Sequence, residues 1–218
     1  MKKILLVALV AIMTVSASAQ IVSVSNKEIK TKTPSQKIHY VQGAIGFLSQ
    51  SSNYQGIESA IGFDFLWGYE KPLGYGIWWG QEVGLGTSRG YSTSHDTWEE
   101  TFRTYSVRYT PANFGYRYRI NSNWAVEGHL GIGVSFDFAG GEHFKDTSKK
   151  TGKVTEESDR SIWDMNDYVP LDVMLKLGAG FTYKCFGFDI SWQKGFVKPA
   201  KNDDITASNV FLGVRYVY

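Results

Sequence analysis

Residues 124–138 read "WAVEGHLGIGVSFDF". Trp124, Val126, Leu130, Ile132, Val134, Phe136 and Phe138 share one parity with Gly128, while Ala125, Glu127, His129, Gly131, Gly133, Ser135 and Asp137 hold the other. Side chains leave opposite faces of an extended chain in turn, so a sustained period of two is a strand with one apolar and one small or polar face. No comparable stripe of period 3.6 occurs anywhere in the chain.

The same pattern recurs. Residues 57–69 and 169–183 alternate as clearly, and 38–49, 74–87, 102–119, 186–196 and 207–218 read as further strands. In 102–119 the apolar phase passes from Tyr105, Val107 and Tyr109 to Phe114, Tyr116 and Tyr118 across Pro111, which predicts a bulge at 110–112. Most of these eight strands are longer than the five or six residues usual in globular sheets, and they match the roughly 9–11 needed to cross a bilayer at a tilt. Connections alternate between short (70–73, 121–123, 185–186) and long (50–56, 88–101, 139–168, 197–206). That is the arrangement of periplasmic turns and extracellular loops in outer-membrane barrels, and it puts both ends of the chain on the short-turn side.

The N-terminus agrees with export. Lys2 and Lys3, the apolar run Ile4–Met13 and the small-x-small site Ala17-Ser18-Ala19 form a signal peptide over 1–19, cleaved after Ala19. Residues 20–36 read as a polar periplasmic lead-in and 37–218 as the barrel. Removal of Lys2 and Lys3 leaves basic and acidic residues equal at 21, so nothing calls for a nucleic-acid partner. The single cysteine, Cys185, excludes an intramolecular disulfide framework in an exported chain.

Alternation alone does not say which face is inside, so a soluble lipocalin-like binder with an apolar interior is the rival. The minor face decides. It carries Ala44, Gly46, Ala60, Gly62, Gly84, Gly131, Gly133, Gly178 and Gly180, small residues suited to the concave side of a narrow barrel, while the bulky aromatic face suits lipid. The expected fold is all-β, an eight-stranded antiparallel up-and-down transmembrane β-barrel in the cell outer membrane. Its lumen then holds Glu58, Asp64, Glu82, Glu127, Asp137, Asp172 and Asp189 with Arg108, Arg117, Arg119, Lys176, Arg215 and His129. Mixed charges in so narrow a space predict a paired plug and not a diffusion pore, with a narrow channel as the lesser alternative. A turn at 121–123 that sets Ile120 against Trp124 puts Arg117 opposite Glu127.

"YTPANFGYRYRI" at 109–120, "WAVEGHLGIGVSFDF" at 124–138 and the terminal "NVFLGVRYVY" resemble the OmpA/OmpX-type family of small outer-membrane barrels, in particular the single-domain barrels of Bacteroidetes. The resemblance spans about 37–218 and implies fold and location more than activity. It also implies contact with outer-membrane lipid and lipopolysaccharide, and that Tyr216 and Tyr218 form a signal for the barrel-assembly machinery, where Phe is the commoner last residue.

Some members of that family modify lipid A or phospholipid, so an acyl hydrolase or transferase using a loop histidine is the alternative reading. The candidates are His143 with Glu142 and Ser148, and His95 with Asp96 and Ser94; neither is a catalytic motif. No HExxH, GxSxG, CxxC or Walker pattern is present, and no catalytic residue, metal or cofactor is expected. The segment 139–168, dense in both charges and carrying Phe144 and Trp163, is the expected place for an extracellular ligand, and a structural or surface-interaction role is the principal expectation.

Overall fold

The computed structural model describes residues 37–51, 57–94, 96–148, 151, 153–199 and 206–218; the expected signal segment and lead-in, and His95, lie outside them. Nine strands follow in order: β1 (Ile38–Ser51), β2 (Ile57–Gly74), β3 (Ile77–Ser94), β4 (Trp98–Arg119), β5 (Trp124–Thr147), β6 (Val154–Ser161), β7 (Leu171–Tyr183), β8 (Phe186–Gly195) and β9 (Thr206–Val217). All but β6 form a ring of antiparallel neighbours, β1-β2-β3-β4-β5-β7-β8-β9, closed where β9 pairs with β1 from Tyr40↔Val217 to Ser51↔Thr206. The closure leaves no sheet edge in the wall, as a strand structure in hydrocarbon requires.

The two faces are inverted relative to a water-soluble protein. Ile45, Phe47, Ile61, Phe63, Leu130, Ile132, Leu212 and Val214 are exposed, up to 69% for Ile61, while Gln42, Asp64, Glu82, Arg108, Asn113 and Arg215 are buried to 3% or less. An apolar exterior around a charged interior is a stable arrangement in lipid and not in water. This excludes the lipocalin-like reading. The stretch from Val126 to Phe136 spans about 34 Å of strand, or about 26 Å along the membrane normal at a tilt of about 40°, which matches the apolar band of such barrels. Aromatic pairs gather at the short-turn end, among them Trp124–Tyr183 at 4.6 Å and Phe186–Tyr216 at 5.5 Å between ring centroids.

Register follows the sequence pattern through the β4–β5 hairpin. Arg117 lies opposite Glu127 and Gly115 opposite His129, and one extra residue enters β4 between Tyr109 and Ala112, at Pro111. Three connections differ from expectation. The first turn sits at 75–76, with positive φ at Gly74, Tyr75 and Gly76, so β2 runs on past Glu70 and Pro72. The segments 88–101 and 139–168 are also mostly not loops. β3, β4 and β5 continue beyond the apolar band, and β6 folds back along the far end of β5 from Gly141↔Ser161 to Thr147↔Val154. A bulge in β5 beside Ala139 shifts the side-chain phase there, so the simple alternation stops while the strand continues.

Arginine at Leu130, on the lipid face near mid-band, is expected to cost about 2–4 kcal/mol in urea titrations from lipid vesicles. Arginine at Glu99, on the projecting part of β4, is expected to change stability by less than about 0.5 kcal/mol.

Candidate functional site

The lumen is filled by ion pairs stacked along the barrel axis. Nearest the short turns, Arg117 and Arg215 alternate with Glu70 and Glu127 in a closed ring. Arg117 Nη2 donates to Glu70 Oε2 at 2.6 Å and to Glu127 Oε2 at 2.5 Å, and Arg215 Nη1 donates to Glu70 Oε1 and Glu127 Oε1 at 2.8 Å each. In the next tier Glu82 accepts from Lys176 Nζ (2.7 Å), Asn113 Nδ2 (2.9 Å) and the Tyr40 hydroxyl (2.5 Å), while His129 Nε2 lies 2.9 Å from Asp189 Oδ1. Above it Arg108 pairs with Asp64 and donates to Gln193 Oε1 at 2.8 Å.

The last tier closes the mouth. Arg89, 1% exposed, donates through Nη1 to Asp137 Oδ2 (3.0 Å), the Tyr168 hydroxyl (3.0 Å) and the Val169 carbonyl (2.8 Å). Asp172, 3.6 Å from Arg89, accepts the backbone N–H groups of Phe196 and Val197. One guanidinium and one carboxylate therefore fasten the segments around Tyr168 and Phe196 to the wall. Burial and the neighbouring Asp137 carboxylate push the Tyr168 phenol well above its ordinary pKa, so it stays a donor.

Seven lumen carboxylates face five permanent cations, so cations must be shared: Glu70 and Glu127 share two arginines, and Asp137 and Asp172 share Arg89. Glycine makes the room. A Cβ at Gly178 would overlap the His129 imidazole, and one at Gly115 would overlap the Trp78 indole. Between Arg108, Ser135, Asp172, Met174 and Asn209 lies a small void with space for about one water. Every lumen cation is thus paired with at least one carboxylate, and the acids remain in excess.

Of the residues expected in the lumen, Asp64, Glu82, Arg108, Arg117, Glu127, His129, Asp137, Asp172, Lys176, Asp189 and Arg215 line it. Glu58 and Arg119 do not. Both keep the inward parity but stand at opposite ends of their strands, past the closed wall, and are exposed. Glu70 and Arg89 line the lumen although the sequence pattern does not put them there. Glu70 falls in the segment 70–73, which reads as a turn. Arg89 reaches the lumen because the register shift between Thr87 and Gly90 marks a bulge, and Ser88 and Arg89 both turn inward there. Tyr216 and Tyr218 lie on the outer face with their rings stacked. Trp67 Nε1 donates to the Tyr218 hydroxyl at 3.0 Å, and Tyr218 N to the His39 carbonyl at 2.9 Å.

Beyond the membrane, β3 to β6 form a projecting sheet. Its inward face is aromatic: Tyr91 stacks on Phe102 at 5.4 Å, Trp98 on Phe144 at 6.1 Å, and Phe102 meets Tyr168 at 6.2 Å. Partial burial, with Glu100 nearby, raises the Glu142 carboxyl pKa against the opposing pull of Arg160. On the outward face Thr101, His143 and Asp159 lie in one cross-strand row. His143 Nδ1 is 2.7 Å from Asp159 Oδ1, and Nε2 is 3.8 Å from Glu157 Oε1. Both ring nitrogens thus face carboxylates, and neither Glu142 nor Ser148 joins His143 in a nucleophile–base pair. Among the described residues, no group of three or more His, Cys, Asp or Glu side chains is placed to hold a metal ion.

The ring, the apolar outer face and the ion-paired lumen define an integral β-barrel of the outer-membrane class. No protein-family model matches the sequence, and no curated protein matches it. Among solved structures the chain is similar to Ail, the attachment invasion locus protein of Yersinia pestis, in complex with the heparin analogue sucrose octasulfate. Identity there is 20% over 84% of this chain and 99% of that one, with a TM-score of 0.41. It is also similar to Neisserial surface protein A (16%, 83% and 97%, TM-score 0.44) and to the outer-membrane enzyme PagL (13%, 81% and 98%, TM-score 0.47). At these values the likeness concerns the strand ring; the barrel assignment stands on the closed pairing and the inverted faces.

Replacing Glu127 with alanine leaves the buried Arg215 and the half-buried Arg117 with Glu70 as their one carboxylate partner in the ring. It is expected to destabilise the barrel by about 3 kcal/mol or more in vesicle urea titrations, without raising conductance in planar bilayers; a large rise would show that the ion ring holds a channel shut. Arg89→Ala is expected to speed hydrogen exchange at 162–170 and 196–199 while leaving the strand amides of β7 and β8 protected.

Proposed function

We propose that the protein is a surface-interaction protein whose working part is the projecting sheet, with the closed barrel serving as its anchor. The observation that carries this is β6. It ends the strand order, pairs only with β5 among the described residues, and is exposed from Val154 to Arg160. A strand with one paired and one open edge presents backbone donors and acceptors to an incoming extended chain, which is the geometry of recognition by strand addition. Glu156, Glu157 and Asp159 make the strand acidic against the single Arg160, so a basic extended segment of an extracellular protein suits it best. A polyanion such as the sulfated sugar bound by Ail would be repelled by the same acids.

An outer-membrane acyl hydrolase or transferase is the second reading, and the His143–Asp159 contact is the observation in its favour. A hydrolytic base needs a hydroxyl or a water on its other nitrogen, and here that nitrogen turns toward Glu157. The interaction reading accounts for more of what the sheet displays.

Excision of the hairpin tip, residues 145–157, tests the proposal. The barrel is expected to keep its heat-dependent gel mobility, while cells displaying the shortened protein lose binding to lysine-rich extended peptides. Wild-type cells that bind such peptides no better than shortened ones would overturn the reading, and a lipid A mass profile altered by the wild type but not by His143→Ala would favour the hydrolase.

A further inference from the structure

The short-turn rim, which faces the periplasm in this fold class, carries a pair of like charges with no acidic side chain paired to it among the described residues. Ile38 pairs with Glu70, and one more step of that register places Lys37 opposite Lys71. Both lysines are exposed. Like charges set directly across two neighbouring strands repel one another. Glu70, the acid adjacent in sequence, does nothing to relieve this, because its side chain points into the lumen and is held by Arg117 and Arg215. Arg119 and Lys184 add exposed cations at the other turns, and among the described residues no exposed acidic side chain stands at this rim.

The surroundings indicate where a compensating anion would sit. Lys37 Nζ lies 4.4 Å from the centroid of the Tyr69 ring. Tyr69 meets Trp79 edge-on at 5.9 Å, and Trp79 is the β3 partner of Lys71. His39 stacks on Trp67 at 6.2 Å, a step further into the apolar band. Along β1 and β2 toward the periplasm, the outer face thus passes from aliphatic residues to an aromatic shelf to the paired ammonium groups, with Leu73, Tyr75 and Ile77 exposed at the β2–β3 tip beyond them. That succession fits acyl chain, glycerol backbone and phosphate in order, since tyrosine and tryptophan settle at headgroup depth and lysines just beyond it bind anionic headgroups. At the opposite rim the exposed bases Arg103, Lys153 and Arg160 are mixed with the acids Glu99, Glu156, Glu157, Asp159 and Asp164, so a purely cationic exposed set is local to one end among the described residues.

We propose that Lys37 and Lys71, with Tyr69 and Trp79, form a subsite at the β1–β2 edge of the periplasmic rim for the phosphate of an anionic glycerophospholipid. The bound phosphate converts a repulsive lysine pair into a bridged one, and the ring faces seat the glycerol shoulder.

Native mass spectrometry of the folded, delipidated protein tests this by titration with dioleoyl phosphatidylglycerol or dioleoyl phosphatidylcholine. The wild type is expected to hold phosphatidylglycerol on the order of tenfold more tightly. K37A/K71A is expected to lose that preference, K37R/K71R to keep it, and K145A/K153A on the opposite rim to leave it intact. Heat-dependent gel mobility verifies that each variant is folded. Equal binding of the two lipids by the wild type, or an undiminished preference in K37A/K71A, would overturn the proposal.

Discussion

Every backbone donor and acceptor in the wall must find a partner within the wall, because hydrocarbon supplies none. The seam between β1 and β9 meets that requirement, and the rest of the structure depends on it. Pairing from Tyr40 to Ser51 joins the first and last strands into a ring, and side chains reinforce the join on both faces. Inside, Arg215 Nε donates to Gln42 Oε1 across the seam at 3.3 Å. Outside, His39 is stacked between Trp67 and Tyr218. The terminal tyrosine is therefore part of the closure itself, held by backbone, ring and hydroxyl together.

Closing eight strands fixes a narrow bore, and the bore dictates what the inward side chains do. A charge there has no bulk water to fall back on, so it is tolerable only if partners satisfy it. The tiers from Glu70 to Arg89 meet this by sharing: two carboxylates per guanidinium at each end, and neutral donors from Tyr40 and Asn113 around Glu82. Trp78 and His129 fit only because Gly115 and Gly178 face them. The glycine-rich inner face is thus the steric counterpart of the bulky residues it opposes.

Where alternation is unbroken, sequence and structure agree closely. The period of two in 124–138 assigns both faces of β5, and the short 121–123 turn sets the Arg117↔Glu127 register. Departures occur where the period is interrupted. A bulge lets Ser88 and Arg89 both point inward, so the residue that bolts the mouth has the sequence signature of a loop. Glu70 precedes Pro72, which reads as a turn signal, yet the positive-φ residues Gly74 and Tyr75 carry the reversal. Glu58 and Arg119 show the opposite limit. Parity says which way a side chain points but not whether the wall still surrounds it. The outward row of Thr101, His143 and Asp159 is hidden for a further reason, because it joins three strands whose pairing only the fold reveals.

The change of character along β5 marks where lipid ends. Its outward residues are apolar through Phe138; past the bulge at Ala139 the outward positions become Gly141, His143 and Lys145. From there the sheet is wet on at least one face, and burial alone no longer holds it. It is held by backbone pairing with strands that run into the barrel and by the stacked aromatics behind it, so β6 stays paired along β5 while exposed. An open edge of that kind invites indiscriminate pairing, and charged side chains are the usual defence. The acids of β6 supply it, since they repel a second copy of the same strand while remaining compatible with a basic one. The features that keep the edge from self-association are therefore those that would make it selective.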